Sequence, residues 1–191
     1  MTKKLEGSWD AGLAFDNHTL KSTCLGPDET GRQRFDTVRS EMGELVYQLK
    51  YQHKPQKLAR MMALLDTIKS LEKFDFMVPI PPTDKSRSWQ PVTEIVKALG
   101  KRRNVPVLLD LLKKKAGGKA LKDITDDDER IEALEQSLTM RRGARIEGCN
   151  VLLIDDLYRS GATLSVATNL LRTARPRRVC VLTMTKTRSN R

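Results

Sequence analysis

Two adjacent carboxylates, Asp155 and Asp156, follow the apolar run Val151-Leu152-Leu153-Ile154 and precede Gly161-Ala162-Thr163. A continuous apolar run of this kind reads as a central strand buried on both faces. Asp155 through Gly161 reads as a loop. Ala162 to Ala174 reads as a helix, with Leu164, Ala167, Leu170 and Leu171 on one side, and Pro176 ends it. A loop at the carboxyl end of a parallel strand opens onto the crevice where α/β sheets bind ligands. There the free N–H groups of Gly161, Ala162 and Thr163, at the positive end of a helix dipole, suit an anion. Ser160 and Thr163 add hydroxyl donors, and Gly161 lets a phosphate approach the backbone with no Cβ in the way. Arg159 is either a phosphate clamp or an exposed side chain. The acid pair cannot face the same phosphate without repulsion. It needs hydroxyls, a cation, or both. A phosphorylated sugar meets that need, with carboxylates on its vicinal hydroxyls and the loop on its phosphate.

Other sites share part of this pattern. A Walker B strand also ends in acids, but it needs an upstream Gly-x-x-x-x-Gly-Lys-Ser/Thr loop. Gly117-Gly118-Lys119-Ala120 lacks the first-glycine spacing and the hydroxyl. A receiver domain carries paired acids near its start, whereas Asp156 lies near the end of a chain of 191 residues.

The elements that must position the site follow from periodicity. Arg178–Met184 reads as the next strand, so strand, helix and strand form a right-handed parallel unit. Upstream, Phe74–Pro82 reads as a strand that Pro79, Pro81 and Pro82 terminate. A helix from Trp89-Gln90-Pro91 turns Val92, Ile95, Val96 and Leu99 inward, and Val105–Leu109 reads as a short strand. Residues 36–53 read as a helix with Asp36 as N-cap and a stripe of Val38, Met42, Leu45, Val46 and Leu49. A second helix after Pro55 carries Leu58, Met61, Met62, Leu65 and Ile68. Ser8–Phe15 reads as a short strand or hairpin edge. Residues 113–130 read as a long mobile loop that starts on Lys113-Lys114-Lys115. The acids Asp126–Glu129 then sit in the first turn of a helix, where the dipole favours them.

The segment Val151–Leu164 resembles the PRPP-binding motif of type I phosphoribosyltransferases: four apolar residues, two acids, a short loop, Gly, any residue, Thr. PRPP is 5-phosphoribosyl-1-diphosphate. Within that family the chain is similar to the ComF-like, competence-associated branch. Glu44–Tyr51 resembles that branch's Leu-Lys-Tyr helix end, and Phe76–Pro82 its Val-Pro-Val-Pro strand end. The likeness covers roughly residues 40 to 188. The chain departs from the branch in lacking a four-cysteine zinc element. It has Arg159-Ser160 in place of Thr-Thr, and only an echo of Arg-Gly-Phe-Asn-Gln at Arg87–Gln90.

The resemblance implies an α/β fold of the type I phosphoribosyltransferase kind: a mainly parallel sheet of about five strands with helices on both faces. Residues 74–191 would be its core and residues 1–73 an N-terminal appendage and hood. It implies PRPP or a nucleoside monophosphate as ligand, bound by Asp155, Asp156 and Arg159–Thr163. Mg2+ would bridge ligand oxygens near Asp155 and Asp156, as a hard cation with few protein ligands does. Pro82, Thr83, Lys85 and Arg87 would contact pyrophosphate, and Lys113–Lys115 would belong to a flexible loop that closes over the site. The activity implied is transfer of phosphoribosyl to a nitrogenous base with pyrophosphate release. The alternative is a non-catalytic PRPP or nucleotide sensor acting as an adaptor in DNA uptake or processing. A homodimer is a further expectation.

Composition sets the remaining bounds. Aromatics make up only 5%, so the core must be aliphatic. The net charge of +11 favours polyanionic partners, nucleic acid or an acidic protein, or serves solubility alone. Arg172, Arg175, Arg177, Arg178, Lys186, Arg188 and Arg191 read either as an exposed helix end and tail or as a nucleic-acid or acidic-protein surface, and without interleaved aromatics the second suits backbone contact at most. No apolar run approaches the ~20 residues that span a bilayer, and no apolar signal region follows Met1. A cytoplasmic location is expected. The cysteines Cys24, Cys149 and Cys180 suggest neither a disulfide framework nor, with His18 and His53, a zinc pattern.

Overall fold

The computed structural model describes residues 2–82, 89–115 and 127–188, the side chains of 127–131 excepted. Its centre is the apolar run read above. Val151, Leu152, Leu153 and Ile154 are at most 2% exposed, and they form the first half of strand β8 (Asn150–Tyr158). Strand β9 (Arg178–Lys186) pairs with β8 in parallel, from Asn150↔Arg178 to Tyr158↔Lys186. Helix α5 (Ala162–Arg172) crosses between them. On the other side of β8 lies strand β5 (Phe76–Pro79), also parallel.

Two N-terminal strands complete this sheet. Strand β2 (Ala11–Asn17) pairs in parallel with β9, and strand β1 (Lys3–Leu5) pairs antiparallel with β2. The order is β1-β2-β9-β8-β5, five strands and mainly parallel, as expected. Ser8–Phe15, read as a short strand or hairpin edge, overlaps β2, and Ala14 is fully buried in the sheet. Residues before 74 therefore supply two of the five strands.

Helices cover both faces. On one face α1 (Glu41–Tyr51), α2 (Leu58–Leu65) and α3 (Pro91–Arg103) pack around Met42, Leu49, Met61, Leu65, Ile95 and Leu99. Proline sits where its missing N–H costs nothing, at the start of α3 and in the 3-10 turn Pro55–Lys57 that leads into α2. On the other face α5 packs with Leu5, Trp9 and a two-stranded antiparallel ribbon of β6 (Leu112–Lys114) and β7 (Leu138–Met140), the second strand following directly on α4 (Asp127–Ser137). The core is aliphatic, as the composition requires.

Four expectations are corrected. Asp36 does not cap a helix: it lies on β4 (Gln33–Arg39), which forms a hairpin with β3 (Thr19–Pro27). The N-cap of α1 is Ser40, whose Oγ accepts from the Gly43 N–H at 3.0 Å. Val105–Leu109 makes only a single bridge, Met77↔Val107, because Pro106 offers a carbonyl but no N–H. Asp155–Tyr158 is strand rather than loop, since pairing with β9 continues to Lys186. Lys113 and Lys114 are not in a loop either. They are held in β6, and the Lys115 N–H donates to Ser137 O at 2.8 Å.

Both sheet margins are short. β1 spans three residues that include Lys3 and Lys4, and β5 spans four. The outer side of β5 is occupied by residues 106–108, through Met77 N–H to Pro106 O and Leu108 N–H to Met77 O, both 2.9 Å.

Candidate functional site

The carboxyl ends of β2, β9, β8 and β5 lie at one edge of the sheet because these strands are parallel. Loop 159–161 leaves β8 there and enters α5. Gly161 is the N-cap of α5, with φ +86, a left-handed conformation that residues bearing a Cβ rarely adopt. A Cβ at Gly161 would also lie 2.9 Å from the Tyr158 ring. The helix has no side-chain cap. Ser160 Oγ accepts from the Ala162 N–H only at a long 3.5 Å. The first N–H groups of α5 thus remain as donors. They open on a hollow of about 70 Å3 lined by Asp155 and residues 157–164. Pockets for a whole small molecule run to ~300–1,000 Å3, so this hollow matches one charged group of a ligand.

The floor of that hollow is firm. Tyr158 meets Trp9 edge to face at 6.3 Å between centroids, and the Trp9 indole donates to Leu5 O at 3.0 Å. Lys186 lies 6.0 Å from the Tyr158 ring centroid, which adds a cation beside the loop.

The two carboxylates part company. Successive residues of a strand point to opposite faces. Asp155 lines the hollow, while Asp156 turns toward α1 and accepts from Lys50 Nζ at 2.7 Å. Asp156 is 6% exposed. Burial pulls the Lys50 ammonium down, but the charge and hydrogen bond of Asp156 outweigh it, and its pKa ends above the ordinary lysine value. Among the described residues no salt bridge like that of Lys50 and Asp156 is made by Asp155. Burial, and then the charge of Asp156, push its carboxyl up to about 7. The Asp156 N–H, which donates to Asp155 Oδ1 at 2.8 Å, and the charges of Lys50 and Lys114 resist that rise. Near neutral pH Asp155 therefore carries less negative charge than a free carboxylate does.

Three further residues complete the polar cluster. Thr185 Oγ1 donates to Asp156 O at 3.2 Å and lies 3.1 Å from His18 Nδ1. Burial and then the charge of Arg39 hold His18 below the ordinary histidine pKa. Burial likewise lowers Lys114, whose charge Asp155 attracts.

Of the residues singled out from sequence, Asp155 and Arg159 to Thr163 come together around the hollow. Arg159 and Ser160 are exposed, and Gly161, Ala162 and Thr163 half-buried. Asp156 is beside them in sequence but faces α1. Pro82 follows β5 at the same sheet edge. Thr83, Lys85 and Arg87 lie outside the described residues, as does the loop expected after Lys115. Lys113 and Lys115 are exposed, and only Lys114 is drawn toward Asp155. Sequence reasoning gave no role to Lys50, His18 or Thr185. Leu49-Lys50-Tyr51 stood out as a helix end, yet no local pattern ties residue 50 to residue 156.

No family model matches the chain, and no curated protein matches its sequence. Among solved structures it is similar to adenine phosphoribosyltransferase from Thermoanaerobacter pseudethanolicus, at TM-score 0.46 and 15% identity over 87% of this chain and 94% of that one. It is similar to orotate phosphoribosyltransferase from Aeropyrum pernix, at TM-score 0.45 and 9% identity over 86% and 74%. It is also similar to glutamine phosphoribosylpyrophosphate amidotransferase from B. subtilis, at TM-score 0.48 and 18% identity over 82% of this chain, which spans 34% of that longer one.

Proposed function

We propose that the chain binds PRPP, or a nucleoside monophosphate, with its 5-phosphate on Arg159–Thr163 and a ribose hydroxyl on Asp155. One observation carries this reading: the uncapped start of α5, with Gly161 at φ +86, opens on a hollow whose other wall is Asp155. The N–H groups and the helix dipole hold the phosphate, and Asp155 accepts from the sugar. Burial, and then the charge of Asp156, hold the Asp155 pKa well above the ordinary carboxylate value, so it repels the phosphate less than a fully ionised carboxylate does.

A Mg2+ clasped by both carboxylates does not fit this geometry. Asp156 faces α1 and is held by Lys50, and no group of three or more His, Cys, Asp or Glu that could hold a metal occurs among the described residues. The ligand is proposed as its magnesium complex, with the cation on ligand oxygens.

In the catalytic form of the proposal, a ComF-like phosphoribosyltransferase, the bond from ribose C1 to the diphosphate oxygen breaks and a base nitrogen bonds to C1. Asp155, Lys114 and the α5 amino end then act by position and charge. The Lys50–Asp156 ion pair favours a second form, a non-catalytic sensor and adaptor, because it removes one of the two acids from the ligand. Contact with nucleic acid or an acidic protein through the basic surface, a homodimer and a cytoplasmic location belong to the proposal as well. No helix of the described residues is long and apolar enough to cross a membrane.

The test is calorimetric titration with PRPP and Mg2+ of the native chain, Asp155→Asn and Asp156→Asn. A charge-assisted hydrogen bond is worth about 1.5–3 kcal/mol, so Asp155→Asn should weaken binding roughly ten- to hundredfold. Equal affinity in native and Asp155→Asn proteins rules the reading out. Pyrophosphate release with a panel of bases separates the two forms.

A further inference from the structure

The opposite end of α5 carries a second feature, made of different residues. Residues 141–149 and 172–178 run side by side, joined by Gly148 N–H to Arg175 O at 3.0 Å and Arg177 N–H to Cys149 O at 2.8 Å. Together they hold Arg141, Arg142, Arg145, Arg172, Arg175, Arg177 and Arg178, with Glu147 as their one acid. All seven arginines are exposed. Arg172 reaches Asp10 at 3.5 Å, and it also suits the negative end of the helix dipole. Among the described residues the other six make no ion pair.

Beside them lies a shallow, open groove of about 450 Å3 between the end of β7 and the C-terminal end of α5. Its walls include Leu138, Met140, Ala144, Leu170 and Ala174, and Arg141 and Arg142 stand at its margin. Met140, Ala144, Leu170 and Ala174 are only partly buried.

We propose that this groove docks an acidic, amphipathic segment of a partner protein. Apolar side chains of the segment enter the groove, and its carboxylates pair with Arg141 and Arg142 in its wall and with the arginines of the two adjoining segments. Arginine suits this because its planar fork binds carboxylates bidentately, and Arg is among the residues that dominate binding energy at interfaces. A nucleic-acid backbone has no use for the apolar walls, and among the described residues no aromatic side chain lines the groove to stack a base. The groove and the hollow at Gly161 lie at opposite ends of α5, an 11-residue helix about 16 Å long, so the two proposals stand independently.

The experiment uses the full chain and a labelled peptide of roughly four helical turns, mostly Glu with Leu at three- and four-residue spacing. A second peptide of the same composition has the Leu stripe scrambled, and a duplex DNA serves as competitor. The expected result is saturable binding of the striped peptide, weaker binding of the scrambled one, and a loss on the order of tenfold in Arg141→Glu/Arg142→Glu. PRPP titration of that variant should be unchanged, which keeps this result separate from the site at Gly161. Equal binding of the two peptides, or none, overturns the proposal, and that comparison needs only the native chain. Preferential binding of duplex DNA that the same two substitutions abolish also overturns it, in favour of a nucleic-acid surface.

Discussion

Lys50 Nζ donates to Asp156 Oδ2 at 2.7 Å, joining α1 to β8 across 106 positions of sequence. The Asp156 side chain is 8% exposed and that of Lys50 30%. This is a mostly buried ion pair, and its value lies in what happens when one partner is lost.

Lys50→Met should destabilise the fold on the order of 2–4 kcal/mol, since it leaves a buried carboxylate without its cation. Adding Asp156→Leu should recover much of the loss, because an apolar pair of similar size removes the unpaired charge. Urea unfolding of the two single variants and the double variant gives the coupling. Additive effects would mean that the pair contributes nothing specific.

Asp155 makes stability depend on pH. Its folded pKa, about 7, lies above the ordinary 3.8. Between those values the folded state binds more protons than the unfolded one, so stability falls as pH rises through that window and levels off above it. His18 acts in the opposite sense. Its folded pKa lies below 6.5, so its contribution is present above that value and is lost as pH falls through the folded pKa. Asp155→Asn isolates the carboxylate: the difference in melting temperature between variant and native protein should widen from pH 5 to pH 8, with the variant the more stable at pH 8. A constant difference would show that Asp155 titrates normally.

Gly161→Ala should cost about 1–3 kcal/mol from the left-handed backbone alone, with the Tyr158 ring displaced as well. Inorganic phosphate binding should weaken in parallel, because the α5 N–H groups lose their alignment. Thermal melts and phosphate titration read the two effects. Full phosphate affinity in the alanine variant would exclude the α5 amino end as the anion site.

Much of the fold was legible, for local reasons. Val151–Ile154, the α5 stripe and Arg178–Met184 each carry the period of their element, and the prolines mark where β5 ends and α3 begins. The hairpin of β3 and β4 was not legible. Leu20, Leu25, Phe35 and Val38 are all about half exposed, so neither strand has the one-sided burial that writes alternation into sequence. Val38 also stands four residues before Met42, which extended the helical stripe of α1 backward into β4. At the site, the acid pair and the glycine loop were readable as a motif. Their division between two faces was not, because it depends on pairing with β9 and on Lys50, both distant in sequence.

The short margins of the central sheet have a consequence for behaviour at high concentration. A growing cross-β stack needs a free row of backbone donors and acceptors. β1 offers only three residues, two of them lysines, and the outer side of β5 is already taken by a segment in which Pro106 has no proton to give. The main sheet is therefore a poor template for strand addition on either side. Aggregation of this protein would start from the exposed β3–β4 arm or from side-chain surfaces, and not from its core.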